Sequence, residues 1–392
     1  MLTTASPTRL LLAAACSWDS TVPLATSLRD AGFDLAIVAP HGHPLHSVPG
    51  LTGRWRYRPL LPLMSLRRAI EAAAPTVIMP CDEPTIVLLQ RLRDDPTLAP
   101  EISDAIGRAL GPKVAAPLLA SRTGLTAIAD RAGIRIPPSA EISSGRQLLT
   151  WLRRNGTPAY LKIDRSNGGR GVVCIRSSVS ALLAYWRLRL LFGIPRTFWL
   201  WLRWGDLSSL PLLSAARAAA ITVQKAIDGV PANCAFAAWG GKLIACVSVE
   251  ALETQTPTGV ATVIRVRDDA AMEDTARKVA AELSLSGLHG LDFILARDTG
   301  APWLIEINGR PTQTAYLRLG SGADLAGALY AQASGTPEQP VGAFKSYQVI
   351  RLFEQPNDKQ PEIAEHLPPA SITQPLPALG VTSPAGSALA SS

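Results

Sequence analysis

The first hundred residues alternate short apolar runs with helix-like stretches. Arg9 to Ala15 is apolar, a helix-like stretch follows from Thr21 to Ala31, and a second apolar run covers Leu35 to Ala39. A third run, Thr76 to Met79, follows another helix-like pattern. Strands that alternate with helices in this way form a parallel sheet covered by helices. We therefore predict a Rossmann-like α/β domain over residues 1–110.

The carboxyl ends of such strands form the edge of the sheet where ligands usually bind. Here that edge would carry residues Cys16 to Ser20, His41 to His46 and Cys81 to Glu83, which together are a candidate substrate surface. The alternatives are that the three histidines are solvated turn residues and that Asp82 and Glu83 cap the next helix.

A glycine-rich loop separates two β-rich runs in the middle of the chain. The runs are Tyr160 to Ile163 and Val172 to Ile175, and the loop contains Gly168, Gly169 and Gly171. Backbone amides of such a hairpin, together with the ammonium group of Lys162 just before it, suit a lid over phosphates. The loop is not a P-loop, because no Gly-Lys-Ser/Thr sequence opens a helix after it.

Two later β-rich runs carry acidic and amide side chains. Gly287 to Ala296 and Pro302 to Ile307 are predicted to pair as a hairpin across the turn Arg297 to Gly300. Counting outward from that turn places Asp292 near Glu306, and the alternation of strand side chains puts Asn308 on the same face as Glu306.

These three oxygen-bearing side chains form a candidate site for a hard cation. Carboxylate and amide oxygens are the protein ligands that Mg²⁺ prefers. The alternative is a pair of solvated surface acids. However, Glu306 lies in the otherwise apolar run Trp303 to Ile307, where an unpaired buried carboxylate would cost several kcal/mol.

Charge and cysteine content exclude several classes of protein. The formal charge is +7, but the arginines are spread along the chain, so we predict no nucleic-acid partner. The five cysteines are an odd number without zinc-ligand spacing, which favours a reducing cytoplasm. The segment Leu10 to Cys16 could be a short lipoprotein-type leader, but we prefer a buried first strand.

Two further segments have unusual composition. Residues 182–217 are rich in Trp and Phe, but arginines and Pro195 interrupt them, so we predict an amphipathic helical hairpin and no transmembrane segment. Residues 355–392 are rich in Pro, Ser, Ala and Gly with little apolar periodicity, and we predict a disordered tail.

Several motifs occur in an order that is typical of one family. They are Arg122 before Ala132-Gly-Ile-Arg-Ile-Pro137, Lys162 before Gly168-Gly-Arg-Gly171, Gln224-Lys-Ala-Ile-Asp-Gly229, and Asp292 with Glu306-Ile-Asn-Gly-Arg310. In this order the chain resembles the ATP-grasp superfamily, with its carboxylate–amine ligases and the ATP-grasp domains of the carbamoyl-phosphate synthase large subunit. The resemblance spans roughly residues 111–330.

The resemblance implies a fold of two α+β lobes that clasp ATP, preceded by a parallel-sheet pre-ATP-grasp domain. The ATP-grasp domain would cover residues 111–335, with a lid lobe over about 158–226, and residues 336–354 would be a C-terminal extension. The hydrophobic insert at 182–217 has no counterpart in a generic member. It could cover a substrate pocket, contact a membrane surface or bind a partner protein, and the alternative is core packing within an enlarged lobe. Arg122 stands where many members have lysine.

The resemblance also implies roles for individual residues. The residues that would bind ATP are Arg122, Lys162, Gly168, Gly169, Gly171, Gln224, Lys225 and Ile227. Asp292, Glu306 and Asn308 would hold Mg²⁺, which Mn²⁺ could replace. Arg310 and Lys162 would be catalytic, and Thr312 and Gln313 would face the substrate. The alternative for Arg310 is a structural salt bridge.

The implied activity is that of an ATP-dependent, ADP-forming ligase. Such an enzyme activates a carboxylate as an acyl phosphate and couples it to an amine or a similar nucleophile. Two alternatives are a kinase-like phosphotransferase on the same fold and a non-catalytic, ATP-dependent binding module. The expected partners are a small-molecule carboxylate and an amine, and the family's habit also allows a homodimer.

Overall fold

A computed structural model describes residues 8–18, 20–113, 122–164, 171–191, 220–256, 259–320, 322–337, 347–352 and 363–364. Within these ranges the fold is α/β, with one parallel sheet in the N-terminal part and two antiparallel sheets after it. The prediction of an α/β fold with an N-terminal parallel sheet is confirmed.

The N-terminal sheet consists of four parallel strands. They are β1 (Arg9–Ala13), β2 (Asp34–Pro40), β3 (Gly53–Tyr57) and β4 (Val77–Pro80). The helices of this part are α1 (Thr21–Asp30), α2 (Pro62–Ala73), α3 (Glu83–Arg93) and α4 (Pro100–Leu110), with a 3-10 turn at Pro44–Ser47. The strand order is β3-β2-β1-β4, so β1 is central and almost fully buried.

The sheet is covered on both faces because its central strands are apolar on both sides. One face packs against α2, α3 and α4 through residues such as Leu11, Ile70 and Leu89. The other face shares a single hydrophobic core with the C-terminal part of the chain, in which Leu12 and Val247 both lie. The N-terminal sheet therefore packs directly against the C-terminal part.

The second sheet is antiparallel and has four strands. They are β5 (Ser139–Glu141), β6 (Ala159–Ile163), β7 (Val172–Ile175) and β8 (Ile221–Lys225), in the order β5-β8-β6-β7. The helices α5 (Arg122–Ala132), α6 (Gly145–Asn155) and α7 (Ser178–Leu191) lie in the same part of the sequence. Leu148 of α6 and Tyr185 of α7 contribute to a core with Leu161 of β6.

The third sheet has seven strands and carries Asp292 and Glu306, the two carboxylates of the predicted cation site. Its strands are β9 (Gly229–Trp239), β10 (Lys242–Thr254), β11 (Ala261–Arg267), β12 (Gly287–Ala296), β13 (Pro302–Asn308), β14 (Val349–Arg351) and β15 (Ile363–Ala364). They run in the order β13-β12-β9-β10-β11-β14-β15. The helices α8 (Ala270–Glu282) and α9 (Leu325–Ser334) belong to this part, and Met272 of α8 and Leu329 of α9 are buried.

Two segments of unusual composition are only partly described. The start of the insert belongs to α7, which has exposed Val179, Leu183 and Trp186, whereas residues 192–217 lie outside the described residues. The expected disordered tail contains one described strand, because Ile363–Ala364 pairs with β14. No helix in the described ranges is both long and apolar enough to cross a bilayer.

Candidate functional site

Three neighbouring strands place polar side chains in one row across the seven-stranded sheet. Asp292 on β12 lies opposite Glu306 on β13 and, on its other side, opposite Asn233 on β9. Asn308, two residues after Glu306, lies opposite Gly290. The predicted hairpin register between Asp292 and Glu306 is therefore confirmed.

Asp292 is held by amide donors on both of its oxygens. Asn233 Nδ2 donates to Oδ1 at 2.8 Å, and Asn308 Nδ2 donates to Oδ2 at 2.9 Å. Burial, and after it the charge of Glu306, raise the pKa of Asp292 in spite of these two hydrogen bonds and the charge of Arg310. The site therefore disfavours two negative charges, and a bound cation would offset that cost.

Asn233 is a residue of this site that the sequence analysis missed. Its Oδ1 accepts hydrogen bonds from Thr314 Oγ1 at 2.8 Å and from Thr312 Oγ1 at 3.1 Å. Gly290 leaves the room for this contact, since a Cβ atom there would lie 2.1 Å from the Thr312 side chain. The available signal was a lone asparagine in the largely apolar strand β9. Thr312, for which the sequence analysis predicted contact with the substrate, also bonds to this network.

The donor set of this row fits a magnesium ion. Within the described ranges, no three His, Cys, Asp or Glu side chains come together as a metal-binding group, so the row has to be judged on two carboxylates and an amide oxygen. The row offers two carboxylates, of Asp292 and Glu306, and the amide oxygen of Asn308, whose nitrogen bonds to Asp292. Mg²⁺ commonly takes one or two protein carboxylates and completes its shell with phosphate oxygens and water.

Lys162 lies on β6 within the smaller antiparallel sheet and is 5% exposed. Its Nζ donates to Oε1 of Gln224 on the neighbouring strand β8 at 2.7 Å, and Gln224 Nε2 donates to Ser139 Oγ at 3.2 Å. The pair therefore joins two of the residues that the sequence predicted for ATP binding. The register Tyr160 to Gln224 between β6 and β8 explains the proximity.

The segment after β8 is where the sequence predicted contacts with adenine. The backbone N–H of Lys225 already donates to the carbonyl of Pro138 at 2.9 Å, and its Nζ donates to Thr157 O at 3.4 Å. Ile227, in the short connection between β8 and β9, has no hydrogen bond in the described part of the chain and is half-buried. The contact of Ile227 with adenine stays a prediction.

The other predicted ATP-binding residues are described only in part. Gly171 accepts a hydrogen bond from Ile163 N at 3.0 Å, which closes the β6–β7 hairpin. Gly168 and Gly169 lie outside the described residues. Arg122 begins α5, but its side chain also lies outside the described part. Their roles stay predictions.

Arg310 follows β13 and contacts the edge of the N-terminal sheet. Its Nε donates to Glu83 Oε1 at 2.7 Å, and its guanidinium carbon lies 5.2 Å from the ring centroid of Trp18. One Nη1 hydrogen bond goes to Pro311 O at 3.2 Å. Since arginine has five N–H groups, the remaining ones can still bind a ligand. The predicted salt bridge and a catalytic role are thus compatible.

Two buried polar atoms beside Arg310 have no partner within the described residues. They are Trp18 Nε1, a hydrogen-bond donor, and Glu83 Oε2, an acceptor. Buried polar atoms are normally paired. We call Trp18, Glu83 and Arg310 the groove triad. Trp18 was part of the predicted rim, but no sequence pattern indicated that Glu83 would meet Arg310, 227 positions away.

Two histidines of the predicted rim, His43 and His46, contact backbone carbonyl groups near the ends of β1 and β2. His43 Nδ1 accepts a hydrogen bond from Leu45 N at 3.1 Å, and its Nε2 lies 3.2 Å from Cys16 O. His46 Nε2 lies 3.1 Å from Pro40 O. Burial lowers the pKa of His43. His43 is buried, so the alternative that all three histidines are solvated turn residues is wrong for His43, whereas His41 is exposed.

Asp82 is a buried cap that joins β1 to α3. One carboxylate oxygen accepts hydrogen bonds from the backbone N–H groups of Ala15 (2.7 Å) and Cys16 (2.9 Å). The other accepts from Thr85 N at 2.8 Å and Thr85 Oγ1 at 2.7 Å. Burial nevertheless raises the pKa of Asp82. The capping alternative therefore holds for Asp82, whereas Glu83 pairs with Arg310 instead.

Asp82→Ala is expected to lower the free energy of unfolding by about 3 to 5 kcal/mol, because three backbone N–H groups, two of them buried, lose their acceptor. Urea denaturation followed by circular dichroism measures the change. Ser144→Ala, which removes an exposed cap of α6 that accepts from Gln147 N, is the matched control and should cost about 1 kcal/mol. Equal effects of the two substitutions would contradict the role given to Asp82.

A buried histidine on β12 predicts a pH dependence of stability. Burial lowers the pKa of His289 to about 4, so it stays neutral when folded while the unfolded chain takes up a proton below pH about 6.5. Stability therefore falls as the pH drops from about 6.5 toward 4. His289→Leu is expected to reduce the loss of unfolding free energy between pH 7 and pH 5 by about 2 kcal/mol.

Urea denaturation of wild type and variant at both pH values checks this expectation. The same substitution at His41, which is exposed, serves as the control. An unchanged pH dependence in His289→Leu would show that other groups cause it.

Comparison with known proteins is consistent with this geometry. A family model described as an ATP-grasp domain matches residues 213–314, which contain Gln224, Asp292, Glu306, Asn308 and Arg310. No curated protein matches the chain in sequence.

Solved structures share the fold at low identity. Biotin carboxylase from Campylobacter jejuni, solved as a β-γ-ATP complex, has a TM-score of 0.60 and 14% identity over 87% of this chain and 75% of its own. The ADP complex of N5-carboxyaminoimidazole ribonucleotide synthetase has a TM-score of 0.60 and 14% identity, over 89% and 83%. L-amino acid ligase from Bacillus licheniformis has a TM-score of 0.56 and 13% identity, over 88% and 79%. Residues 213–314 therefore match an ATP-grasp domain, and the chain shares the fold of these solved structures.

Proposed function

We propose that the chain is an ADP-forming ligase that activates a carboxylate as an acyl phosphate and couples it to an amine. The row of Glu306, Asp292 and Asn233 with Asn308 is the observation that carries this proposal. It concentrates negative charge at a point where two amide side chains already hold one carboxylate. Such a row is suited to a divalent cation with phosphate oxygens.

The metal site would act on the phosphates of ATP. Asp292, Glu306 and Asn308 would hold Mg²⁺, which, when bound, neutralises charge on the transferring phosphoryl group. Thr312 and Thr314 would act indirectly, since they fix Asn233, which in turn orients Asp292. Mn²⁺ could take the same oxygen ligands.

Lys162 would bind the phosphates from the smaller sheet. Its bond to Gln224 holds the ammonium group in place before ATP arrives. Arg122 would add a second positive charge, and the N–H of Ile227 would bind the adenine ring. With the substrate carboxylate in line with the γ-phosphoryl group, these residues would supply positioning and electrostatic stabilisation without a covalent protein nucleophile.

The groove triad would bind the other substrates. Its free N–H groups, on Arg310 and Trp18, suit a carboxylate or the oxyanion formed when the amine attacks the acyl phosphate. Its unpartnered acceptor, Glu83 Oε2, suits the hydrogen atoms of an amine. The triad therefore offers hydrogen-bond donors for a carboxylate and, beside them, an acceptor for an amine, which supports the proposed pair of substrates.

The names of the similar structures agree with this class of reaction. They include an L-amino acid ligase and a protein solved with ADP. A cytoplasmic location and a homodimer, which the sequence analysis expects, are kept as parts of the proposal.

The test is ADP release by the purified chain with Mg-ATP, pools of carboxylic acids that include amino acids, and hydroxylamine. Hydroxylamine converts an acyl phosphate to a hydroxamate, so ADP together with hydroxamate would support the proposal and identify the carboxylate pool. ADP with a stable phosphorylated product would favour the kinase-like alternative. No ADP from any pool would favour the binding module.

Lys162→Ala is expected to raise KM for ATP at least about tenfold and to lower kcat, because the buried ammonium group would no longer meet the phosphates. Steady-state ADP release at varied ATP concentration measures both constants. Lys242→Ala, which removes an exposed lysine of β10, is the control. Unchanged constants in Lys162→Ala would show that the residue does not bind ATP.

A further inference from the structure

A cluster of exposed apolar side chains follows the edge strand β3. Leu60 is 71% exposed, Leu61 44%, Leu63 37% and Met64 38%. With the nearby Arg56, Arg58 and Arg68 we call these residues the β3 corner. They are four of the nine large hydrophobic residues that are exposed in the described part of the chain, and they occur within five consecutive positions.

Hydrogen bonds hold the β3 corner in an ordered turn. Arg58 N donates to Ser65 Oγ at 3.0 Å, Ser65 Oγ donates to Leu61 O at 2.8 Å, and Leu61 N donates to Arg58 O at 2.9 Å. Pro59 and Pro62 further restrict the backbone of this turn. The leucines are therefore presented to solvent by a fixed backbone rather than by a loose loop.

The charged residues within the segment that carries these apolar side chains are all basic. Residues 54–68 contain five arginines and no acidic residue. Arg67 pairs with Glu71 and Asp95 from outside this segment. Arg56, Arg58 and Arg68 are exposed, and their side chains have no partner within the described residues.

We propose that the β3 corner docks the protein onto an anionic lipid bilayer. At such a surface leucine and methionine side chains enter the boundary between headgroups and acyl chains, while arginines bind lipid phosphates. A single-stranded nucleic acid would satisfy the arginines but not the leucines, and its bases usually stack on exposed aromatic rings. Trp55 and Tyr57, the aromatic residues of β3, point into the core instead.

The location of the corner gives the docking a consequence. The turn begins where β3 ends, at the carboxyl edge of the parallel sheet, and Trp18 and Glu83 follow the ends of β1 and β4 at that same edge. Docking would therefore hold the edge that carries the groove triad toward the lipid surface. This inference does not depend on the proposed ligase activity.

The test is sedimentation of the full chain with vesicles of phosphatidylcholine alone or mixed with phosphatidylserine, at low and at physiological salt. Binding to the mixed vesicles that weakens with salt is expected, with little binding to neutral vesicles. Since one basic residue at an anionic surface contributes about fivefold, Arg56→Gln/Arg58→Gln should weaken binding roughly 30-fold. Leu60→Ser/Leu63→Ser should weaken it at least about tenfold.

Matched controls separate this surface from general effects of charge and hydrophobicity. Arg153→Gln/Arg154→Gln removes two exposed arginines at the end of α6, and Leu252→Ser removes a residue that is 39% exposed on β10. Neither should change vesicle binding, and circular dichroism should show that all variants fold.

Three results would overturn the proposal. The first is that the control pair Arg153→Gln/Arg154→Gln weakens vesicle binding as much as Arg56→Gln/Arg58→Gln does. The second is binding of single-stranded nucleic acid instead of vesicles, with sensitivity to the arginine substitutions alone. The third is a dimer that Leu60→Ser/Leu63→Ser dissociates, without any vesicle binding.

Discussion

Glu306→Ala is expected to reduce turnover by at least about a thousandfold while the chain stays folded. Glu306 lies directly opposite Asp292 in the hairpin of β12 and β13, so it would be one of the two carboxylates that hold Mg²⁺. Without Glu306, Asp292 would be the one protein carboxylate left to anchor the metal that neutralises charge on the phosphoryl group. The effect should appear in kcat, because the metal stabilises charge that develops during transfer.

The measurement is ADP release at saturating ATP over a range of Mg²⁺ concentrations. Partial rescue at high Mg²⁺ is expected for Glu306→Gln, which keeps one oxygen ligand, and not for Glu306→Ala. Glu253→Ala removes an exposed carboxylate from β10 of the same sheet and should leave activity unchanged. Full activity of Glu306→Ala with a normal circular dichroism spectrum would remove Glu306 from the metal site.

The metal row was largely predictable from sequence because a hairpin fixes its own register. Once the turn at Arg297 to Gly300 is recognised, counting outward brings Asp292 and Glu306 together. Asn233 could not be found in this way. It lies on β9, 59 positions before Asp292, and only the completed sheet brings the two side chains within hydrogen-bonding distance.

Three strands of the parallel sheet were predictable, and the edge strand β3 was not. The central strand β1 is a continuous apolar run, as expected for a strand buried on both faces. The edge strand β3 reads Gly-Arg-Trp-Arg-Tyr, and only one of its sides packs into a core, so it lacks such a run. Arg54 and Arg56, which interrupt the apolar pattern of β3, belong to the basic segment 54–68 at the β3 corner.

Arg310→Ala is expected to lower kcat by about a hundred- to a thousandfold, the usual cost of removing a donor to a developing oxyanion. The structure gives this residue two possible tasks, since it both pairs with Glu83 and retains free N–H groups beside Trp18. A purely structural ion pair would behave like the pair of Arg318 with Asp324, which closes the loop before α9 at 2.8 Å. Arg318→Ala is therefore the matched control, and it should affect stability more than kcat.

Arg310→Lys and Glu83→Gln separate the two tasks further. Lysine keeps the charge but lacks the planar fork of guanidinium, so Arg310→Lys should recover little of the lost kcat if Arg310 contacts the reacting carboxylate. Glu83→Gln keeps a hydrogen-bond acceptor for Arg310 but removes the charge that suits an amine, so it should raise KM for the amine more than it lowers kcat. Steady-state kinetics of both variants with the substrates found by hydroxamate trapping measures this split. If Arg310→Ala lost only stability, to the same extent as Arg318→Ala, the contact between Arg310 and Glu83 would serve to join the N-terminal sheet to the seven-stranded sheet, and the groove triad would have no part in the chemistry.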